Sequence, residues 1–118
     1  MDDGRPIFQQ IAGHLEAQIL DGTMPEEGQV PSINELAAFF RINPATALRG
    51  VNLLVDEGLL YKKRGIGMFV ASGARASLLE RRRQEFHQDF VQPLAARAQA
   101  LGLEPNQVED MLRKEMGA

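Results

Sequence analysis

Apolar residues recur every four positions at Ile7, Ile11, Leu15 and Ile19, which sets them along one stripe of a helix from about Pro6 to Leu20. Pro6 suits the first helical position and Gly22 the exit. The stretch from Met24 to Gln29 reads as a loop by composition. Ser32-Ile33-Asn34-Glu35 then has the spacing of a capping box, in which hydroxyl and carboxylate each close the other's exposed backbone donor. It predicts a short second helix reaching about Arg41, with Leu36, Ala37 and Phe40 turned inward. A third helix follows almost at once. Asn43 is a strong N-cap, Pro44 a favoured first residue, Ala47, Leu48, Val51 and Leu54 the expected core face, and Gly58 a natural stop.

After Gly58 the period changes. Leu59-Leu60-Tyr61-Lys62-Lys63 and Ile66-Gly67-Met68-Phe69-Val70 read as two strands joined at Arg64-Gly65, a hairpin with a basic tip. From Ala74 the chain is helical again, with Leu78, Phe86, Phe90, Leu94, Ala98 and Leu101 mostly three or four apart. Pro93 should kink or divide that helix, because it removes a donor and crowds the preceding turn. Gly102 ends it, and Glu104-Pro105 opens a last helix carrying Val108, Met111, Leu112 and Met116. The fold class expected is mainly α with a small β-hairpin: a winged helix-turn-helix domain over residues 5–72, then a short C-terminal helical hairpin over residues 73–118.

Two short helices so close together, followed by a basic hairpin, make the third helix the candidate reader of duplex DNA. It would turn Ala45, Thr46, Arg49 and Asn52 away from the core, and the N-terminal residues of such a helix meet base edges in the major groove. Thr46 can bond a phosphate or touch a thymine methyl, and Arg49 can fork onto guanine or clamp a phosphate. Backbone donors at the helix starts, near Ser32 with Asn34 and near Asn43, suit phosphate oxygens. Lys62, Lys63 and Arg64 would track the backbone or enter the minor groove. Gly65 allows the tip a close approach, and Gly67 belongs to the same candidate surface. Taken alone, Arg49 on a polar helix face is more often a surface charge; the order of elements raises it above that.

The formal net charge of −3 argues against a general nucleic-acid coat. Locally the balance differs: Arg41, Arg49, Lys62, Lys63 and Arg64 face only Asp56 and Glu57 in their stretch, while acids gather at Asp2, Asp3, Glu16, Asp21, Glu26 and Glu27. One basic face on a neutral-to-acidic body fits a specific reader.

Other chemistry is poorly supplied. Without cysteine there is no disulfide, no thiolate site and no cysteine nucleophile, which suits a reducing cytoplasm. His14 and His87 stand alone, so no metal or other cofactor is expected. Gly65-Ile66-Gly67 is only a fragment of a phosphate loop, and the neighbouring carboxylates Glu26-Glu27 and Asp56-Glu57 point different ways, so no enzyme is expected. No apolar run approaches the roughly 18 residues of a membrane span, and Met1-Asp2-Asp3-Gly4 is unlike a signal peptide.

Pro6-Ile7-Phe8-Gln9-Gln10-Ile11, Val30-Pro31-Ser32, Leu36-Ala37, Ile42-Asn43-Pro44-Ala45-Thr46, Glu57-Gly58-Leu59-Leu60 and Arg64-Gly65-Ile66-Gly67-Met68-Phe69-Val70 occur in an order that resembles the N-terminal domain of the GntR family. Asn43-Pro44 and the short helical tail resemble its YtrA subfamily in particular. The resemblance implies a winged-helix DNA-binding domain, a homodimer and a palindromic operator, and the leading reading is a repressor that answers to a small-molecule effector or to cellular state. It favours Thr46, Arg49 and Gly65 as DNA contacts. Departures are visible too. Asn34 and Pro44 stand where many members carry arginine, Arg41 where glycine is frequent, Gly50-Val51 where Ala-Tyr is usual, and Met68 where threonine is usual. Loss of two basic contacts alters the expected operator and lessens the part of the second helix. It also keeps open another reading, a winged-helix module that binds protein instead of DNA.

The segment after Ala71 is too short for a large effector domain, and a two-helix unit cannot bury its own apolar stripes. Phe86, Phe90, Leu94, Val108, Met111 and Leu112 therefore need a partner surface, either the chain's own first helix or, the favoured choice, a second copy. Arg81-Arg82-Arg83, flanked by Glu80 and Glu85, reads as a solvated helix face.

Overall fold

The computed structural model describes residues 4–117, so Asp2 and Asp3, and the start of the Met1–Gly4 segment, lie outside the described residues. The chain divides into two compact units, one running through Glu80 and one beginning at Arg81.

In the first unit α1 (Ile7–Asp21) is followed by Gly22 in the left-handed region. Pro6 stands at the N-cap and not inside the helix: its ψ of 145° is extended, and its carbonyl accepts the N–H groups of Gln9 and Gln10. Ile11, Leu15 and Ile19 are buried, but Ile7 is exposed at the first turn. Gln10 is buried in its stead, with its amide donating to the Arg5 carbonyl at 2.8 Å.

Helix α2 (Ile33–Phe40) carries the capping box at Ser32 and Glu35 and ends on Arg41, a non-glycine residue at φ 56°. Helix α3 (Pro44–Asp56) begins where the Asn43 side chain accepts the Ala45 N–H at 2.8 Å. Its buried residues are Ala47, Gly50, Val51 and Leu54. Leu48, expected on the core face, is instead 38% exposed. A 3.6-residue turn rotates it off the line through Ala47, Val51 and Leu54 and brings Gly50 inward.

Strands β1 (Leu60–Lys63) and β2 (Gly67–Val70) pair antiparallel from Leu60↔Val70 to Lys63↔Gly67. Each is one residue shorter than expected, so Ile66 joins the turn, its N–H bonding the Lys63 carbonyl at 3.0 Å. The Met24–Gln29 loop is also less irregular than its composition suggests. Gln29 bridges Phe69, and the Val30 N–H bonds the Met68 carbonyl at 2.8 Å, giving the hairpin a third edge.

Helix α4 (Ala74–Phe86) sends Ala74 and Leu78 into the core formed by α1, α2, α3 and the hairpin. Burying the leucine, isoleucine and valine side chains of this core, each worth about 1.5–3 kcal/mol when fully buried, holds the helices and hairpin as one body.

In the second unit the break expected at Pro93 takes the form of a π-helical turn over His87–Val91, before α5 (Gln92–Ala100). Proline cannot donate and crowds the carbonyl four residues back; here the Gln92 N–H reaches the His87 carbonyl, five residues back. Helix α6 (Pro105–Met116) follows, its N-cap Glu104 giving its N–H to Gln107 at 2.8 Å. Phe86, Phe90, Leu94, Met111 and Leu112 are all exposed, with the Phe86 and Phe90 ring centroids 5.5 Å apart, while Val108 is half-buried. Arg81 lies 3.9 Å from Glu85, one turn along the same helix face.

Candidate nucleic-acid interface

The outward side of α3 is built by the same periodicity that builds its core side. With Ala47, Gly50, Val51 and Leu54 facing in, Ala45, Leu48 and Arg49 are exposed and Thr46 and Asn52 half-buried. Between this face and α1 lies a shallow groove of about 340 Å³, lined by Phe8, Ala45, Leu48, Arg49, Asn52, Leu53 and Asp56. The Arg49 guanidinium carbon lies 4.0 Å from the centroid of the Phe8 ring. Small Ala45, apolar Leu48, a forked cation and an amide on one helix face offer the chemistry that distinguishes base edges: guanine acceptors for Arg49, an amide pair for Asn52, a thymine methyl for Leu48.

The helix starts differ from expectation. Ser32 Oγ accepts the Glu35 N–H and Glu35 Oε1 accepts the Ser32 N–H, both at 3.1 Å. The Ser32 N–H, then its hydroxyl, holds the Glu35 carboxyl below the usual carboxylate range, so a negative charge sits at the start of α2 beside exposed Asn34. At α3, Pro44 has no N–H, Ala45 is capped by Asn43, and the Thr46 and Ala47 N–H groups bond the Asn43 carbonyl. The free backbone donors expected there for a phosphate are therefore already engaged. Asn43 serves first as a cap, and Thr46 offers its side chain.

The hairpin tip is basic, but its three cations are not equivalent. Lys62, Lys63 and Arg64 are all exposed, but Lys63 Nζ also lies 4.5 Å from the Phe69 centroid, over a face where Tyr61 and Phe69 stack at 5.9 Å. Tyr61 donates to Glu27 Oε1 at 2.6 Å; that bond keeps the proton on the phenol and raises its pKa above the ordinary value. Gly65, at φ 78°, makes the turn that a side chain would strain. Gly67, at φ 144°, also has a backbone that a side chain would strain, and a Cβ there would push aside the flexible Gln29 amide, which donates to the Ile66 carbonyl at 3.2 Å.

Sequence reasoning gave no role to Phe8 or Gln29 and set Leu48 on the core face. Phe8 stood in plain view in the Pro6–Ile11 block, and the exposure of Leu48 follows from the helical wheel once Gly50 is counted as buried. Gln29 carried no signal, because its contact bridges distant parts of the chain.

Among the described residues no group of histidines and acids is placed to hold a metal, and no helix is long and apolar enough to cross a membrane. His14 and His87 are both exposed, His14 tilted against Phe40 at 5.3 Å.

Residues 7–70, covering the three helices and the hairpin, match the family described as bacterial regulatory proteins, gntR family. Over 75 residues the chain is 32% identical to the HTH-type transcriptional repressor YtrA of Bacillus subtilis (strain 168), a match covering 64% of this chain and 58% of that protein. It thus spans little more than half the length of this relative. A chain described as a GntR-family transcriptional regulator from Bacteroides thetaiotaomicron superposes with a TM-score of 0.80 at 33% identity, over 95% of this chain and 97% of that one. The structure of AraR(DBD) in complex with operator ORX1 superposes with a TM-score of 0.57 at 30% identity, over 60% of this chain and 86% of that one. Both the arrangement of helices and hairpin and these similarities lead to one assignment: the chain belongs to the gntR family of bacterial regulatory proteins, with a winged helix-turn-helix fold.

Proposed function

We propose that this chain is a sequence-specific DNA-binding transcription regulator, a repressor, that acts as a homodimer on a palindromic operator. The observation that carries the reading is the outward face of α3, where Arg49, Leu48, Ala45 and Asn52 stand free of the core, on a helix against which the basic hairpin's first strand packs. Helix α3 enters the major groove, Thr46 and Arg49 meeting it near the helix start. The hairpin's Lys62 and Arg64 neutralise phosphates, and Gly65 and Gly67 keep its tip slender. The similarity to AraR(DBD), whose structure holds operator DNA, supports this docking. Ser32 and Asn34 contribute less than α3, because the Glu35 carboxylate lies at the same helix end.

The hairpin's part has its own test. Arg64→Gln should weaken binding by a similar factor for every duplex sequence and make the salt dependence shallower by about one unit of log–log slope. A loss confined to one base position would move Arg64 from the backbone to a base edge.

The dimer is supported by the second unit, where Phe86, Phe90, Leu94, Met111 and Leu112 are exposed and Val108 half-buried. A second copy covering these residues would set two reading helices about one DNA turn apart, as a palindrome requires. Phe90→Asp should convert the dimer into monomers in sedimentation velocity and abolish tight operator binding. Dimers that persist in this variant would place the interface elsewhere.

A further inference from the structure

We propose that Phe8 is a positioning residue for Arg49, a ring on α1 that holds the reading guanidinium of α3 ready for its base; the inference rests on the reading of α3 given above. The Arg49 guanidinium carbon is 4.0 Å from the Phe8 centroid, well inside the range of an attractive contact between cation and ring. The Phe8 ring is the partner that the structure gives the Arg49 side chain. Phe8 is half-buried at the edge of the same groove and is not part of the buried core, which Ile11 completes one turn further on.

The backbone beneath explains the placement. Gly50 lacks a side chain, and a Cβ there would meet the Phe8 carbonyl oxygen at 2.9 Å and Ile11 at 3.2 Å. The first turn of α1 therefore lies directly on α3, and the Phe8 ring meets the side chain next to Gly50. A contact with the ring face consumes none of the guanidinium's N–H donors, so its fork stays available for guanine or phosphate. A free arginine loses much rotamer freedom when it is fixed on a base, and one already held against a ring loses less.

The test is a double-mutant cycle on the full chain, titrated against the duplex that the wild type retains from a random library. Phe8→Leu keeps an apolar side chain against α3 and removes the ring; it should weaken binding roughly three- to ten-fold. Phe8→Tyr, which restores a ring, should bind as the wild type does. Phe8→Leu added to Arg49→Ala should cause no further loss, since the ring acts only through that side chain. Full additivity of the two losses, or no rescue by tyrosine, would overturn the positioning role and leave Phe8 a packing residue. Melting temperatures separate folding from binding, and if Phe8→Leu is destabilised, Phe8→Met, closer to phenylalanine in volume, carries the same cycle. An Arg49→Ala variant that binds unchanged would reject the assignment of Arg49 as reader, and this inference with it. An intact effect of Arg49→Ala with a neutral Phe8→Leu rejects the inference alone.

Discussion

Gly50→Ala is expected to lower the melting temperature of the protein, although alanine is the better helix former. In an exposed helix the change would stabilise by about 1 kcal/mol. Here the added Cβ would lie 2.9 Å from the Phe8 carbonyl oxygen, a backbone atom that cannot rotate aside, and 3.2 Å from Cβ and Cγ2 of the buried Ile11. Relief requires α1 and α3 to separate. Overpacking of this kind costs about 1–3 kcal/mol, so a net loss of up to about 2 kcal/mol remains after the propensity gain. For a domain of this size each kcal/mol moves the melting temperature by roughly 4–8 °C. Gly50→Val should do more, because it adds bulk and β-branching at the same contact. Thermal unfolding followed by circular dichroism checks both; an unchanged or raised melting temperature for Gly50→Ala would mean that the two helices do not meet so closely.

Arg49→Ala is expected to cost about 1–3 kcal/mol of binding to the specific site, or a factor of roughly 5–150, and to relax the sequence preference at one base position. Non-specific binding should change little, since the hairpin cations remain. That pattern distinguishes a base reader from the uniform weakening expected of Arg64→Gln. Competition titrations against sites altered one base pair at a time give the comparison. Equal losses on every duplex would assign Arg49 to a phosphate, and no loss would remove it from the interface.

Both predictions turn on α1 and α3, where the sequence was informative to different depths. Local signals were read well: Ser32 with Glu35, Asn43 with Pro44, and Gly22, Gly58 and Gly102 act through the backbone within a few residues, and the helices begin and end beside them. The place of Pro93 was legible for the same reason, although a proline announces a disrupted helix without saying that a π turn will absorb it.

What escaped depends on distance in space. Leu48 matched an apolar pattern that Gly50 completes instead, because a glycine counts as buried only once α1 is known to press on it. The pairing of Gln29 with Phe69 joins residues far apart in sequence, and a loop-like composition concealed it. At the candidate interface the residue types were legible, since cations and a capped helix stand out. Their states were not: Lys63 lies over Phe69, the start of α3 has spent its backbone donors, and Arg49 rests on Phe8. Each is a tertiary contact, and no periodicity encodes it.

The central claim, that this chain reads a palindromic operator as a dimer, is tested most directly by selecting from random duplex DNA with the purified full-length protein at near-physiological salt. The account predicts enrichment of an inverted repeat whose half-sites lie about one helical turn apart. Recovery of no motif, with retention collapsing as salt rises, would contradict it, leaving only charge attraction between a basic hairpin and DNA.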